Sequence, residues 1–428
     1  MTKKRIFLVA IIIFALITTG VCIKTAVSEV DIPGKELFEE VQLFADAITL
    51  ISADYVKQVN PKDLIYGAIR GMVSTLDGYS QFLDPDGFTE MKEETQGQFG
   101  GLGMEIGMRE GVLTVIAPID DTPAFKAGVK AGDLIVKIED EITRDITIDG
   151  AIKKLRGEPG TKITITVFRK KTSKMIEITI TRDIIKLKSL KEVKVIEDNI
   201  GYIRLIEFQE RTSKDMGRAI KDLKKEGAEN LIVDIRNNPG GLLDSAVETS
   251  EYFLEKGDLV VYTEGRDPGK RVEFRAQEEC LTEGMGVIVI VDGGSASAAE
   301  ILAGAIMDNK RGLVLGEVTF GKGSVQTVVP LRDNSALRLT TAAYYTPSGK
   351  SLMEKGIEPD IIVELKSIDK NMPENKDIFD DIEEKDKKSD DEDDSNIWQK
   401  DSQITAAVNI LKGINAFGKC RSFHRGDK

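Results

Sequence analysis

Two glycine-rich stretches hold the residues best suited to covalent chemistry. The first is Gly293-Gly294-Ser295-Ala296-Ser297-Ala298-Ala299-Glu300, small residues around a pair of serines. The second is Thr319-Phe320-Gly321-Lys322-Gly323-Ser324-Val325-Gln326, a lysine between two glycines. A serine nucleophile needs a base to take its hydroxyl proton. The chain contains one histidine, His424, in the C-terminal tail. A Ser-His-Asp triad is therefore excluded unless that tail folds back. Lys322 is the alternative base, and a lysine serves at neutral pH only where burial lowers its pKa.

Each of these residues also has a plainer reading. Ser297 precedes an apolar run, Ala298 to Met307, and Ser297-Ala-Ala-Glu300 matches a capping box, in which serine and glutamate satisfy each other's backbone donors. Capping does not exclude catalysis, because a helix start offers free N–H groups and positive potential to an oxyanion. Gly316 to Lys322 has P-loop spacing, but Gly323 follows where a magnesium-binding serine or threonine is required. The run after it reads as a strand rather than the helix a P-loop opens, which argues against an ATPase. Gln326, four residues past Lys322, would share its face on a strand and could orient the lysine by a hydrogen bond. Ser367-Ile-Asp-Lys370 has the S-x-x-K pattern but lies in an acidic stretch, where it reads as chance.

The elements that must position these residues follow from periodicity. Helical spacing covers 34–60 (Leu37, Val41, Phe44, Ala45, Ile48, Ile51) and a second helix covers 62–75. Residues 76–85 read as a turn-rich connection. Residues 97–182 read as a compact β-rich module: Gly100-Gly101-Leu102-Gly103, a strand at 113–116, a Thr122-Pro123 helix start with a capping threonine, a strand from Leu134, a helix at 149–155 and a closing hairpin. Its glycine loop could hold a carboxylate on backbone N–H groups while a peptide adds as a strand. From 190 to 366 strands and helices alternate as an α/β core with a buried sheet, and both glycine-rich stretches fall at strand ends, where sites gather in such folds. Arg236-Asn237-Asn238-Pro239-Gly240-Gly241 is a strand-to-helix turn whose glycines allow N–H groups to face a substrate.

Composition narrows the function classes. The net charge is −13 over 428 residues, and no basic stripe interleaved with aromatics appears, so no nucleic-acid partner is expected. Three scattered cysteines, Cys22, Cys280 and Cys420, give no C-x-x-C for zinc or redox work. Lys3, Lys4 and Arg5 precede an apolar stretch from Ile6 to Thr18, continuing weakly to Ile23, which reads as a cleaved signal peptide or a retained anchor. Thr25-Ala-Val-Ser28 is a mediocre cleavage site, so an anchor is favoured. The body would then be exported, to the periplasm or another extracytoplasmic space, or secreted after cleavage. Residues 367–400 are charge-dense and read as a disordered linker. Ile404, Val408, Leu411 and Ile414 form the apolar side of a last helix.

Taken in order, L-D-x-Y-S-x-F-L at 76–83, the β-rich module, R-N-N-P-G-G at 236–241, G-S-A-S-A-A-E at 294–300 and T-F-G-K-G-x-V-Q at 319–326 resemble the carboxyl-terminal processing, or tail-specific, serine proteases. The resemblance covers about residues 35–366. It implies a multidomain α/β fold: a ClpP/crotonase-like protease core with an inserted PDZ domain and a helical N-terminal segment. The expected boundaries are 1–30 for the signal or anchor, 31–96 for the helical segment, 97–182 for the PDZ domain, 183–366 for the core, 367–400 for the linker and 401–428 for the last helix and tail.

The resemblance also assigns roles. It makes Ser297, not Ser295, the nucleophile, Lys322 its base and Gln326 the residue that orients the base. The oxyanion donors map onto Ala298 and the Gly240-Gly241 turn. Gly100, Gly101, Leu102 and Gly103 would bind the substrate tail, and Arg156, in Arg156-Gly157-Glu158-Pro159-Gly160-Thr161, would couple tail binding to the core. Expected partners are protein C-termini and, through the N-terminus, a membrane, with a homo-oligomer possible. No metal or cofactor is implied. Gly78 stands where the family commonly has proline, and the loop before the nucleophile reads Val-Asp-Gly-Gly where asparagine is more frequent. The competing expectation is a catalytically silent PDZ adaptor that binds protein C-termini.

Overall fold

The computed structural model describes residues 35–109, 111–267, 269–353, 355–365 and 401–423. The apolar N-terminal stretch, the acidic segment with its S-x-x-K, and His424 lie outside these residues. The chain divides into two compact units, one ending at Leu76 and one beginning at Asp77. The first holds helices Lys35–Asp54 and Pro61–Ser74. The helix expected to run to 60 stops at Asp54. Asn60 precedes a proline, which disfavours helical backbone, and it is extended and caps the second helix by accepting from Lys62 N–H at 3.0 Å. Val41, Phe44 and Ile51 of the first helix are exposed. No helix among the described residues is long and apolar enough to cross a membrane.

The second unit is built on a six-stranded sheet in the order Leu190–Ile196, Ile200–Leu205, Asn230–Asp234, Gly286–Val291, Leu313–Gly316 and Ile361–Ile362. Only the first pair is antiparallel. Alternation along each strand splits the apolar runs between two faces. Val233, Val287, Val289 and Val291 face the helices Thr212–Lys225, Leu243–Glu251 and Ala298–Asp308. Ile232, Ile288, Ile290 and Leu315 face the last helix, Ser402–Phe423, through Ile404, Ala407, Val408 and Leu411. A second sheet centres on Ala336–Tyr345, which pairs with Gln81–Leu83, Leu259–Gly265 and Ser324–Pro330.

The β-rich module has its own sheet and its own core of Leu113, Val115, Ile135, Ile165 and Val167. Its ends meet: Gln98–Gly101 pairs antiparallel with Asp183–Lys186, so the module leaves and rejoins the chain at one place.

Two local readings change. The connection at 76–85 contains a strand, Gln81–Leu83, and leads into a helix, Pro85–Gln96, capped by Asp84 accepting from Gly87 N–H at 2.9 Å. An aspartate before a proline is a legible helix start. Thr122 does not cap its short helix. Its hydroxyl lies within hydrogen-bond distance of the Gly103 and Ile119 carbonyls, which ties it to the glycine loop. The helix that follows the Gly240-Gly241 turn spans Leu243–Glu251.

Candidate active site

Ser295 and Ser297 separate on geometry. Ser295 is buried, donates to the Ile235 carbonyl at 2.8 Å and accepts from Asp292 N–H at 3.0 Å, so it is a strut between two loops. Ser297 is partly exposed and holds φ 54°, ψ −113°. For a residue other than glycine this backbone costs on the order of 1–3 kcal/mol, and such strain clusters where a side chain must be aimed. The helix Ala298–Asp308 begins directly after it.

Gly240 lies against Ser297. A Cβ there would sit 2.8 Å from Ser297 Cβ and 3.0 Å from the Ala298 nitrogen, and φ is 105°. Its own N–H is taken, donating to Asn238 Oδ1 at 2.9 Å. The N–H groups of Ala298 and Gly241, by contrast, make no hydrogen bond among the described residues. Of the expected oxyanion donors, these two are therefore available, while Gly240 contributes its missing side chain.

Local pattern marks Glu300 only as half of a capping box. It is fully buried and accepts from Ser297 N–H at 2.8 Å, making its half of that box. The same carboxylate also accepts from Thr319 Oγ1 at 2.5 Å, Gly321 N–H at 2.8 Å and Lys322 N–H at 2.9 Å. Two donors meet each oxygen, which fills the acceptor capacity of a carboxylate. One side chain thus fixes the backbone of Ser297 to the backbone of Lys322. The local motif could show the cap but not the three contacts 19 to 22 residues away.

Lys322 is half-buried, and burial holds its pKa below the ordinary lysine value. The Arg338 guanidinium pushes the same way, and the Glu300 carboxylate opposes it. Nζ lies 5.5 Å from the ring centre of Tyr79, the tyrosine of the L-D-x-Y-S stretch. No hydrogen bond joins Nζ to Ser297 Oγ or to Gln326 among the described residues. The same-face argument for Gln326 fails: Lys322 precedes the strand Ser324–Pro330, and the pairing register shifts between Val325 and Gln326. Gln326 Nε2 donates to Thr340 Oγ1 at 2.7 Å, and its Oε1 is buried without a partner among the described residues. A buried acceptor left unmade costs free energy, so Oε1 is poised for a donor.

In the β-rich module, the N–H groups of Leu102 and Gly103 are also without hydrogen bonds among the described residues. Gly103 is left-handed, with φ 75°, and a Cβ would meet Thr122 at 2.3 Å. Gly100 accepts from Gly157 N–H at 3.1 Å, linking the glycine loop to the Arg156 loop. The groove beside them, about 230 Å³, is lined by Phe99, Leu102, Met104, Ile106, Ile152 and Leu155 with Arg156. Arg156 stacks 4.5 Å over Phe99 and lies 3.7 Å from Glu90 and 3.5 Å from Glu93, both on helix Pro85–Gln96. A free carboxylate with an apolar last side chain fits this arrangement. Among the described residues no acidic, histidine or cysteine cluster could hold a metal ion, and Cys280 is free.

Comparison with known proteins bears on the whole arrangement. Peptidase family S41 matches residues 199–363, a PDZ domain matches 100–180, and the N-terminal domain of the activating protease CtpB matches 21–87. A carboxy-terminal-processing protease of Bartonella bacilliformis is 44% identical over 331 residues, covering 76% of each chain. The carboxy-terminal processing protease CtpB of Bacillus subtilis is 37% identical over 74% of this chain and 66% of its own length. A solved structure titled photosystem II D1 C-terminal processing protease is 29% identical, covers 76% of this chain and 92% of that one, and has a TM-score of 0.45. The chain belongs to the carboxy-terminal processing proteases, serine peptidases of family S41 that carry a PDZ domain.

Proposed function

We propose that the protein is an exported endopeptidase in which Ser297 and Lys322 form the catalytic dyad. The observation that carries this reading is Ser297 in strained backbone, beside two unpaired N–H groups and tied through Glu300 to the lysine loop. Neutral Lys322 takes the Ser297 proton as Oγ attacks the peptide carbonyl. Ala298 and Gly241 N–H groups hold the oxyanion. The lysine then gives the proton to the departing amine and activates the water that releases the acyl group. Movement of Lys322 onto Gln326 Oε1 would pair that acceptor and orient Nζ.

The PDZ domain, 97–182, captures the free C-terminus of the substrate on Leu102 and Gly103, and Arg156 passes tail binding to the core, 183–366. Residues 1–30 act as a signal or anchor that directs the remainder to an extracytoplasmic face of the membrane, and 367–400 act as a linker before the last helix. The exposed apolar residues of helix Lys35–Asp54 suit pairing with a second copy.

The test is cleavage of a substrate with a free apolar tail by wild type, Ser297→Ala and Lys322→Ala. Both variants should be inactive while binding the tail normally. Full activity in either removes the dyad.

A further inference from the structure

The last helix meets the sheet through two kinds of contact. Along its length Ala407, Val408 and Leu411 pack on the apolar face. Its start is polar and reaches the turn that carries Gly241. Asp401 Oδ2 accepts from Arg236 Nη1 at 2.7 Å, and Gln403 Oε1 accepts from the same nitrogen at 2.9 Å. Gln403 Nε2 donates to the Val363 carbonyl at 2.7 Å, which anchors this start to the sheet. The other side of the Arg236 guanidinium donates to Asp234, at 3.0 Å from Nε and 2.6 Å from Nη2. Asp234 and Gln403 are fully buried, and Arg236 nearly so.

Charge balance shows what Asp401 adds. Arg204 also donates to Asp234, at 2.7 Å, and to the Arg236 carbonyl at 3.1 Å. Without Asp401, two guanidiniums would share one buried carboxylate at the end of strand Asn230–Asp234. A buried cation left short of its partner is costly, and the backbone that carries it is the part able to give way. That backbone begins the oxyanion turn. Asn237 N–H donates to Asp292 at 2.8 Å, and the Asn238 carbonyl accepts from Ala296 N–H at 2.9 Å, next to the nucleophile.

We propose that Asp401 is a positioning residue for the reaction: docking of the last helix completes the charge balance at Arg236 and so sets the turn that presents Gly241 N–H. This rests on the assignment of Ser297, Ala298 and Gly241 above. Asp401 touches neither substrate nor reacting atoms.

The experiment is acylation of the full-length protein by a fluorophosphonate probe, read as the rate at saturating probe per folded molecule. Asp401→Asn isolates the charge. Asparagine still caps the helix by accepting from Gln403 and Ile404 N–H, as Asp401 Oδ1 does at 2.9 and 3.0 Å. Leu411→Ala loosens the helix by its apolar side, away from Arg236. Asp401→Asn should slow acylation about tenfold, short of the roughly 10²–10³-fold cost of losing an oxyanion donor, with Kd for a tail peptide unchanged. Asp401→Glu should recover part of the rate. Leu411→Ala should lower Tm at least as far yet acylate at the wild-type rate. Wild-type acylation in Asp401→Asn, or a slowing in both variants that tracks lost Tm, overturns the proposal. If wild type is not labelled, or Ser297→Ala is labelled equally, the reading of the site itself falls and takes this proposal with it.

Discussion

Around Ser297 the anchors are buried carboxylates, whereas the PDZ edge at Arg156 is held by partly exposed ones. Glu300 collects four donors at 2.5–2.9 Å and has no exposed surface. Arg156 reaches Glu90 and Glu93 at 3.7 and 3.5 Å, with the Glu90 side chain 55% exposed. Leaving a buried donor unsatisfied costs about 1–3 kcal/mol, while an exposed ion pair is worth about 0–1 kcal/mol. The core is thus built to hold one arrangement, and the PDZ edge can exchange partners at small cost. Catalysis needs the first property, and tail-dependent control, as proposed for Arg156, would need the second.

The sharpest attack on this contrast is Glu300→Ala. It strands donors from Ser297, Thr319, Gly321 and Lys322 together. Turnover should fall by about 10²-fold or more, because misplacement near 1 Å is enough for that, and Tm should drop with it. Glu300→Gln keeps the shape but turns an NH₂ toward backbone N–H groups, so it should be nearly as harmful. A Glu300→Gln protein with wild-type kcat and Tm would show that the carboxylate is not the staple.

Next in size is Gly240→Ala. The new methyl would press on Ser297 Cβ and the Ala296 carbonyl, each at 2.8 Å, in backbone at φ 105°. We expect a loss of about 10²-fold in kcat, comparable to an oxyanion donor, with tail-peptide affinity intact. Near-normal kcat would mean that the turn shifts freely, against the rigid half of the comparison.

A milder probe is pH. Burial first, then Arg338, holds the Lys322 pKa below that of an unfolded lysine. If Lys322 is the base it must be neutral to act, so kcat should rise as pH rises through the folded pKa. The stability contribution has the same sign: between the folded and unfolded pKa values the unfolded chain binds the extra proton, so stability increases with pH there. Arg338→Gln removes one depressing charge and should move the rising limb of the kcat profile to higher pH. An unmoved limb would leave burial as the only cause.

How much of this was legible in the sequence depends on distance along the chain. Helix Ala298–Asp308, strand Gly286–Val291 and the PDZ hairpin follow from periodicity because their determinants are local. Ser295 and Ser297 could not be told apart by local pattern, since both sit among small residues. What separates them is the Ser295 bond to Ile235, 60 residues upstream, and the backbone angle of Ser297. The face that Gln326 presents was not legible, because a register shift precedes it that alternation does not encode. The Arg236–Asp401 pair spans 165 residues, and nothing near either residue announces the other.

The smallest expected effect bears on the PDZ edge. Arg156→Ala gives up the two weak ion pairs and the Phe99 stack, worth together about 1 kcal/mol or less at such a partly exposed site. Tm should therefore barely move. If Arg156 only braces the PDZ edge, cleavage of a tailed substrate should barely move either. If it relays tail binding, cleavage should fall several-fold while Kd for the tail stays near normal, although Arg156 lines the groove. Neutralising Glu90 and Glu93 to glutamine separates the two cases. It removes the same ion pairs but leaves the arginine free to engage the core. A relay predicts that this double variant cleaves at least as fast as wild type, whereas a brace predicts that it behaves like Arg156→Ala. Equal slowing in both would make the edge a structural joint and dissolve the distinction between a rigid core and an exchangeable rim.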